Sequence, residues 1–542
     1  MTGADAMVKC LEKEGVKVVF GYPGVAICPF YNSVLDSEIR TVLIRTEQNA
    51  AHCASGYARI SGKPGVCVVT SGPGATNLIT GIATAFADSI PLICITGQVN
   101  SSMIGSDVFQ EADITGAVES FVKYSYLVRN VEEIPHIFKE AFYIADSGRK
   151  GPVLIDIPCD IQNEAIGRFT YPETVSMRTY KPTVEGNMVQ IKKVIREIER
   201  AKKPIICVGG GVTLSGAVDE IRSFAEKYQI PVVSTMMGIG VMPAKHPLYY
   251  GMVGNNGRHY ANRAMNESDL LLMVGARVAD RAVNRPDLIT EDKVLVHIDV
   301  DPAEIGKNVG PTIPLVGDIR HIFDAVLGQE FKTEDHSQWI ESLDGYRSTM
   351  KEKRPQIGEE YADPSVFIPK LSAQMDDDAV YVADVGQNQI WSTAFYDIRD
   401  KGRFLTSGGM GTMGYSIPAA MGARIADPGR QVVAVCGDGA FQMSMMELGT
   451  MAQHDIRIKI VVMRNNYLGM VREYQHFTYH DHYSVVDIAG KPDLDKLAQA
   501  YGLGYLKVDG HCDMDEQIRR FLQDDSSMLM EVMVDPTDLV KA

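Results

Sequence analysis

The stretch Val432-Val433-Ala434-Val435-Cys436-Gly437-Asp438-Gly439 decides how this chain folds. An apolar run of strand length ends there in a glycine turn that carries one carboxylate. A second apolar run, residues 458–463, ends in the same way at Arg464-Asn465-Asn466. Short apolar runs bounded by glycine or polar turns are typical of strands buried in a parallel sheet. Because ligands bind at the carboxyl ends of such strands, we expect Asp438 and Asn465 to share one sheet edge.

Aspartate and asparagine supply the hard oxygen ligands that Mg²⁺ prefers, and protein-bound Mg²⁺ is usually shared with phosphate groups. The flanking glycines let a backbone approach a diphosphate closely. Gly-Asp-Gly alone is a common turn. The prediction of a magnesium and diphosphate site therefore depends on the pairing of Asp438 with Asn465.

Short apolar runs alternate with helical patterns along all 542 residues, a length that suits about three domains. Polar stretches near residues 168–187 and 336–363 interrupt the alternation and are predicted to be connectors. We expect domains over residues 1–167, 188–330 and 364–542. The predicted fold class is α/β, with a doubly wound parallel sheet in each domain.

The amino-acid composition argues against several classes of function. A formal net charge of -16, with no long basic run, argues against a nucleic-acid surface. The nine cysteines include no CxxC pair and fit free thiols in a reducing compartment. No apolar run approaches the roughly 18–20 residues of a membrane span, and the first residues lack the pattern of a signal peptide. We expect a cytoplasmic protein that binds neither nucleic acid nor membrane.

Further motifs follow one another along nearly the whole chain. They are Phe20-Gly21-Tyr22-Pro23-Gly24, Arg45-Thr46-Glu47-Gln48, Gly56-Tyr57-Ala58-Arg59, Thr70-Ser71-Gly72-Pro73-Gly74-Ala75-Thr76-Asn77, Ile95-Thr96-Gly97-Gln98-Val99, Ile104-Gly105, Phe109-Gln110-Glu111, Asp384-Val385-Gly386-Gln387, Gly411-Thr412-Met413-Gly414 and Leu468-Gly469-Met470-Val471-Arg472. Together with the two strand-end motifs, they resemble the thiamine diphosphate enzyme superfamily, and most closely its acetolactate (acetohydroxyacid) synthase catalytic subunits.

The resemblance implies three α/β domains, which are pyrimidine-binding, central and diphosphate-binding in that order. It implies decarboxylation of pyruvate and ligation to a second 2-keto acid, the acetolactate synthase step of branched-chain amino-acid biosynthesis. It also implies thiamine diphosphate and Mg²⁺ as cofactors. Two subunits build each site in this superfamily, so a homodimer or homotetramer is expected, with a possible small regulatory subunit.

By resemblance, Glu47 is the carboxylic acid that activates the cofactor, a task suited to a carboxyl group with a raised pKa in an apolar setting. Met413 is the apolar wedge that bends the cofactor, and Gln110 completes the catalytic set. Tyr467 adds a backbone carbonyl to the two metal ligands. The remaining cofactor contacts are Tyr22, Pro23, Thr70, Pro73, Asn77, Gly386, Gln387, Asn388, Gly411, Gly439 and Ala440.

The central block carries a run of three glycines after a predicted strand, which is a weak dinucleotide signal because it is not GxGxxG. In biosynthetic relatives the matching positions surround a structural FAD, whereas FAD-free catabolic relatives typically lose the pattern. The resemblance therefore implies FAD. The positions concerned are Arg149, Gly209, Gly210, Gly211, Gly275, Arg277, Asp299 and Asp318.

Arg281 matches the acceptor-binding arginine of the family, since a keto-acid carboxylate prefers a bidentate cation. A surface pair with Asp280 is the structural alternative. Phe109 and Tyr474 are the other expected substrate contacts. Departures from the usual family pattern cluster around the acceptor pocket and occur at Val25, Thr46, Cys159, Asn255, Asn388 and Tyr474. Two alternatives therefore stay open: a related carboligase or decarboxylase with another 2-keto acid or aldehyde, and a catalytically silent relative.

Overall fold

The first domain is built on a parallel sheet of six strands with helices on both faces. Its strands are β1 Val18–Tyr22, β2 Arg40–Leu43, β3 Gly65–Val69, β4 Leu92–Gln98, β5 Tyr124–Leu127 and β6 Pro152–Pro158. Its helices are α1 Gly3–Lys13, α2 Cys28–Val34, α3 Glu47–Ser61, α4 Pro73–Ala87, α5 Ile114–Val118, α6 Ile134–Asp146 and α7 Cys159–Asn163. Every residue of β3, β4 and β6 is buried, which explains their continuous apolar sequence.

The central domain repeats this architecture after an irregular stretch, residues 168–187, without helix or strand. Its strands are β7 Pro204–Val208, β8 Val232–Ser234, β9 Tyr249–Met252, β10 Leu270–Val274, β11 Val294–Asp299 and β12 Ile313–Val316. Its helices are α8 Met188–Arg200, α9 Gly210–Leu214, α10 Val218–Tyr228, α11 His259–Glu267, α12 Ile319–Leu327 and α13 Ser337–Thr349.

Helix α13 corrects the expectation that residues 336–363 form a connector. Trp339 and Leu343 on this helix are buried in the central core. The Trp339 indole N–H donates to the Pro204 carbonyl at 3.1 Å. Two apolar residues four positions apart fix the helix on the domain, although the charged residues around them make the stretch look polar.

The third domain has the same layers. Its strands are β13 Val380–Ala383, β14 Arg403–Leu405, β15 Val432–Gly437, β16 Lys459–Arg464, β17 Gly504–Val508 and β18 Met528–Met533. Its helices are α14 Pro364–Gln374, α15 Gln387–Phe395, α16 Ser416–Ala426, α17 Asp438–Ser444, α18 Glu447–His454, α19 Gly469–Tyr479, α20 Leu494–Ala500 and α21 Met514–Gln523. This computed structural model describes residues 1–283, 289–310, 312–350 and 356–540. No described helix combines the length and apolar character needed to cross a bilayer.

The order of strands explains where ligands can bind. The first sheet runs β2-β1-β3-β4-β6-β5, and the third repeats that pattern as β14-β13-β15-β16-β18-β17. The central sheet runs β12-β11-β10-β7-β8-β9, the order of dinucleotide-binding folds. All pairings within the three sheets are parallel, as the predicted α/β class requires. The winding of the sheets changes direction between β1 and β3, β7 and β10, and β13 and β15, and in the first and third sheets it also turns back at the edge formed by β5 or β17.

Helices α3 and α16 join the first and third domains through a close crossing. A Cβ atom on Gly56 would come within 1.9 Å of the Ala419 carbonyl oxygen. One on Gly422 would lie equally close to the Cys53 carbonyl oxygen, at 1.9 Å. Only glycine permits such an approach of two backbones. This crossing fixes the helix that begins with Glu47 against the third domain.

Candidate active site

The predicted residues of the first domain collect where its sheet reverses, between β1 and β3. Tyr22 ends β1, and Thr70 directly follows β3. The two strand ends touch, because a Cβ atom on Gly24 would lie 2.5 Å from the Thr70 hydroxyl. Pro23 lies between Tyr22 and Gly24, and Pro73 begins α4 at the same edge. The four positions expected to contact the cofactor are thus neighbours in space.

Glu47 opens α3 at this edge and is half-buried. The Asn77 side-chain amide donates to Glu47 Oε2 at 3.1 Å. Gly74 leaves room for the carboxyl group, since a Cβ atom there would lie 3.3 Å from Glu47 Oε1. The structure therefore brings together the predicted activating carboxyl group and one predicted cofactor contact, Asn77.

Gln110 lies on the loop that follows β4, and its backbone has a φ of 60°. A Cβ atom on Gly72 would contact Gln110 at 2.9 Å, so the loop closes over the β3 turn. The neighbouring Phe109 is 86% exposed at the rim. Residues 109 and 110 therefore border the same edge as Glu47.

A buried carboxyl group that the sequence did not suggest anchors this loop. Asp156 on β6 accepts from the Thr96 hydroxyl at 2.6 Å and from the Gln98 amide at 2.9 Å. The same amide donates to the Ala112 carbonyl at 2.8 Å, two residues after Gln110. Burial raises the pKa of Asp156 to about 7. Apart from Asp156, β6 contains only apolar residues, and nothing in that run indicates the role of this carboxyl group.

The predicted metal ligands of the third domain meet where its sheet reverses, beside β13 and β15. Asp438 begins α17, and its Oδ2 accepts from the Asn466 backbone N–H at 2.7 Å. Its Oδ1 accepts from the Gly439 N–H at 3.1 Å. Asn465 Oδ1 accepts from the Tyr467 N–H at 3.0 Å. Gly439 and Ala440 form the first turn of α17 at the same edge.

The surroundings of Asp438 suit the binding of a metal cation. The side chain is buried, and within the described residues no lysine or arginine forms an ion pair with it. Burial raises the pKa of Asp438 to about 6, although the N–H groups of Asn466 and Gly439 and the charge of Arg464 favour the charged form. The described residues hold no group of three His, Cys, Asp or Glu side chains suited to a metal. A cation here would therefore complete its ligands with amide and carbonyl oxygens, phosphate and water.

Gln387 and Asn388 have inward-pointing side chains. The Gln387 amide donates to Glu473 at 3.2 Å and to the Asp538 carbonyl at 3.1 Å, while its Oε1 accepts from Asn465 at 2.9 Å. The Asn388 amide donates to the Asp384 and Val435 carbonyls. Gln387 thus orients Asn465, a predicted metal ligand. Contact of residues 387 and 388 with a diphosphate therefore stays a prediction, and their backbone N–H groups would make it.

The turn with Gly411 and Met413 is held by another buried carboxyl group, Asp384. It accepts the backbone N–H groups of Val385 at 2.8 Å, Gly414 at 2.9 Å and Ser416 at 2.8 Å. Burial raises the pKa of Asp384. Gly411 has a φ of 68°, and the Met413 methyl group lies 3.5 Å from where a Cβ atom on Gly439 would be. Met413, the predicted apolar wedge, therefore borders the cluster around Asp438, where a metal is predicted to bind.

The Glu47 carboxyl group and the turn that carries Met413 contact different parts of α4. Asn77 on this helix contacts Glu47, whereas Thr84 shares a 2.7 Å hydrogen bond with Thr412. At 1.5 Å per residue, the two contacts lie roughly 10 Å apart along the helix axis. Within one chain, Glu47 and the turn with Met413 thus lie toward different ends of α4.

The glycines of the central domain meet where β7 and β10 end. The Gly211 N–H donates to the Gly275 carbonyl at 3.0 Å, and a Cβ atom on Gly209 would come within 2.2 Å of the same oxygen. Gly210 begins α9 between them. Asp299 ends the neighbouring strand β11, and burial raises its pKa to about 6. The glycines and Asp299 therefore share one crevice.

The other predicted FAD contacts bind protein groups in this structure. Arg149 reaches from the first domain to Asp301 at 3.2 Å and Glu304 at 3.1 Å. Arg277 donates to the Ala87 carbonyl at 2.7 Å. Asp318 caps α12. Both arginines therefore connect the first and central domains beside the crevice.

The expected acceptor contacts face solvent in the single chain. The Arg281 side chain is 74% exposed and lies 4.0 Å from Asp280, which is the arrangement of a surface pair. Tyr474 on α19 is 59% exposed. Their roles toward a substrate stay predictions.

Known proteins resemble the chain over nearly its whole length. Three family models match in succession: the N-terminal TPP binding domain of thiamine pyrophosphate enzymes over residues 1–117, their central domain over 191–326 and their C-terminal TPP binding domain over 384–532. Thiamine pyrophosphate is another name for thiamine diphosphate.

Curated relatives agree with these models. The chain is 41% identical to a "Probable acetolactate synthase large subunit" of Methanococcus aeolicus, covering 99% of this chain and 92% of that protein. It is 42% identical to an "Acetolactate synthase" of Arthrospira platensis, with 98% and 94% covered. It is 40% identical to an "Acetolactate synthase large subunit" of Lactococcus lactis, with 99% and 93% covered.

Proposed function

Because the chain belongs to the thiamine pyrophosphate enzyme family, at about 41% identity to acetolactate synthase large subunits, we propose that it is the catalytic subunit of an acetolactate synthase. It decarboxylates pyruvate and joins the remaining two-carbon unit to a second 2-keto acid. The observation that carries this function is the pair of clusters at the reversal points of the first and third sheets, around Glu47 and around Asp438.

Asp438, Asn465 and the Tyr467 carbonyl are the proposed protein ligands of Mg²⁺. The buried carboxylate without a basic partner supports this assignment, because such a charge is stabilised by a cation. Gly439 and Ala440 would bring backbone N–H groups to the diphosphate. Gln387 keeps Asn465 in place through its 2.9 Å hydrogen bond.

Glu47 would hold a proton at the pyrimidine ring, with Asn77 orienting its carboxyl group. When bound, thiamine diphosphate supplies the electron sink for decarboxylation. Met413, on the turn fixed by Asp384, would set the angle between the two rings. Gln110 would face the substrate from the loop anchored by Asp156.

The acceptor side is proposed from residue chemistry. Arg281 would bind the carboxylate of the second keto acid, and Phe109 and Tyr474 would line its pocket. Their exposure in one chain is consistent with a pocket that closes only when a second chain is present. The acceptor itself, pyruvate or 2-ketobutyrate, is settled by competition between the two.

A homodimer, or a tetramer built from it, would complete the site. The rim of each half is apolar and exposed, with Val25 and Phe109 on the first domain and Tyr474 and Phe477 on the third. Exposed apolar patches of this kind mark protein interfaces.

FAD is proposed at the crevice of the central domain. The strand order of that sheet and the meeting of Gly209, Gly211 and Gly275 support a dinucleotide. A flavin absorption spectrum of the purified protein tests this directly. All nine cysteines are free, which fits the reducing conditions of a cytoplasmic enzyme. The relatives named as large subunits also make a small regulatory subunit a reasonable partner.

The decisive experiment supplies the purified protein with thiamine diphosphate, Mg²⁺ and pyruvate, and measures acetolactate. Product formation that is lost in Glu47→Gln supports the proposal. Consumption of pyruvate without acetolactate would instead indicate a decarboxylase or a carboligase for another acceptor. Absence of both turnover and cofactor binding would indicate a catalytically silent relative.

A further inference from the structure

Glu447 is a buried carboxylate that the proposed chemistry does not use. It is the first residue of α18 in the third domain and is fully shielded from solvent. A buried carboxylate is retained only where donors compensate for its lost hydration. Its partners therefore indicate what it does.

Three of its hydrogen-bond partners flank Glu47 in the first domain. The Arg45 backbone N–H donates to both carboxylate oxygens, at 3.1 and 3.3 Å. The Asn49 side-chain amide donates at 2.8 Å, and the backbone N–H of Thr46 also stabilises the charge. A fourth donor, the Thr450 hydroxyl, lies 2.7 Å away on α18 itself. Every partner is a donor, so the site requires an acceptor on both oxygens.

The start of α3 lacks a side-chain cap of its own. Thr46 occupies the cap position, but its hydroxyl makes no capping hydrogen bond. A helix start without a cap leaves backbone N–H groups unsatisfied and is prone to fray. Glu447 does not accept from those helical N–H groups. It holds the residues just before them, through the N–H groups of Arg45 and Thr46, and the Asn49 side chain, which lies 398 positions away in sequence.

The same face of α18 holds the strand end that leads to Glu47. The Thr450 hydroxyl has one proton, which the Leu43 carbonyl at 3.1 Å shares with Glu447, and His454 accepts from the Leu43 N–H at 3.0 Å. Gln453 accepts from the Arg45 guanidinium at 2.8 Å. Among the residues of α18, however, only Glu447 forms hydrogen bonds with residues on both sides of Glu47.

We propose that Glu447 is a positioning residue that fixes the start of α3, and with it the Glu47 carboxyl group, against the third domain of the same chain. This inference rests on the proposed role of Glu47. A misplacement of about 1 Å in a catalytic group can lower a rate by about 100-fold. The anchor matters because Glu47 itself is only half-buried and has one hydrogen-bond partner on α4.

Glu447→Gln tests the proposal with almost no change in shape. A glutamine with its NH₂ group in place of Oε2 loses the 3.3 Å contact with the Arg45 N–H, and one with its NH₂ group in place of Oε1 loses the 3.1 Å contact with Arg45 and the 2.8 Å contact with Asn49. Gln453→Ala is the matched control, because it removes a contact between α18 and Arg45 without touching that backbone. Thr450→Val is a milder second variant, which withdraws one donor from the carboxylate.

The first readout needs no cofactor: amide hydrogen exchange of a peptide covering residues 40–50. We expect exchange at Arg45 and Thr46 to accelerate at least about 10-fold in Glu447→Gln and to stay at the wild-type rate in Gln453→Ala. The second readout is deuterium exchange at C2 of bound thiamine diphosphate. We expect this rate to fall about 10- to 100-fold in Glu447→Gln, with cofactor affinity within about 3-fold of wild type. Thr450→Val should lie between the two.

Unchanged C2 exchange in Glu447→Gln would overturn the inference. An equal loss in Gln453→Ala would also overturn it, because that outcome reflects weaker domain docking in general. Absence of C2 exchange in the wild-type protein would instead contradict the proposed function, so the two failures are distinguishable.

Discussion

Removal of Asp88 should destabilise the junction between the first and third domains by several kcal/mol. Asp88 follows the last residue of α4 and forms a 2.9 Å ion pair with Arg59, with 0% and 9% of the two side chains exposed. Asp88 also accepts the backbone N–H groups of Gly408 at 3.2 Å and Gly409 at 2.7 Å in the third domain. Asp88→Ala removes all three contacts at once.

The magnitude follows from what remains after the substitution. Arg59 would keep its 2.8 Å hydrogen bond to the Thr406 carbonyl but would be a buried charge without a counter-ion. Breaking one side of a buried pair costs about 3–5 kcal/mol. With a urea m-value of about 2–3 kcal/mol/M, the unfolding midpoint should fall by about 1–2 M.

Tryptophan fluorescence can follow this transition in the third domain. The chain has two tryptophans, and Trp391 is buried in the third domain whereas Trp339 belongs to the central one. A Trp339→Phe background therefore makes the signal specific. The matched set is Asp88→Ala, Arg59→Ala and the double variant.

The double variant decides whether the ion pair is the cause. Because it removes the unpaired charge, it should recover part of the loss, with a coupling energy of about 2–3 kcal/mol. Single losses that add within about 0.5 kcal/mol would refute the reasoning, and so would an unchanged midpoint in Asp88→Ala.

Three further predictions concern the site and the helix beside it. Asp438→Asn should weaken Mg²⁺-dependent cofactor binding by at least about 100-fold in titration calorimetry, because an amide replaces an anionic oxygen ligand. The melting temperature of the apoprotein should change by only a few degrees, since the cost of burying a charge is removed while one backbone N–H loses its acceptor; an unchanged cofactor affinity would contradict the assignment. Burial lowers the pKa of His52 to about 3, so below pH 6.5 the unfolded chain binds a proton that the folded chain does not, and stability declines as the pH falls. His52→Gln should remove about 2 kcal/mol of that decline at pH 5, measured as urea midpoints at pH 5 and 7; an identical pH dependence in both proteins would argue against it. Tyr474→Trp should raise the preference for 2-ketobutyrate over pyruvate about 10-fold in a competition assay, because the larger apolar ring favours the extra methylene; an unchanged product ratio would exclude Tyr474 from the acceptor pocket.

Local patterns in the sequence predicted most of the fold. Apolar runs that end in glycine or polar turns identify β15, β16 and their counterparts, because burial on both faces of a parallel sheet requires mostly apolar residues. They also placed Asp438 and Asn465 at strand ends, where the structure has them. Helix α13 was missed, since two buried residues among charged neighbours give too weak a period.

Contacts between distant segments determined the rest of the candidate site. The sequence marked Gln387 and Asn388 as diphosphate contacts, but only the packing of α15 shows that their amides bind inside the domain. Asp156 and Asp384 resemble other strand-end acids until their partners are seen.

The sequence by itself therefore determined the class of fold and the family, and it supplied the prediction of which residues hold a metal, because each follows from short motifs and from spacing along the chain. Only the tertiary structure decided which strands are neighbours, where each sheet reverses and how Glu47 is held. Asn49 and Glu447 lie 398 positions apart and meet through the crossing of α3 and α16. The free energy of such a contact depends on the burial of both partners at once, which no local pattern records.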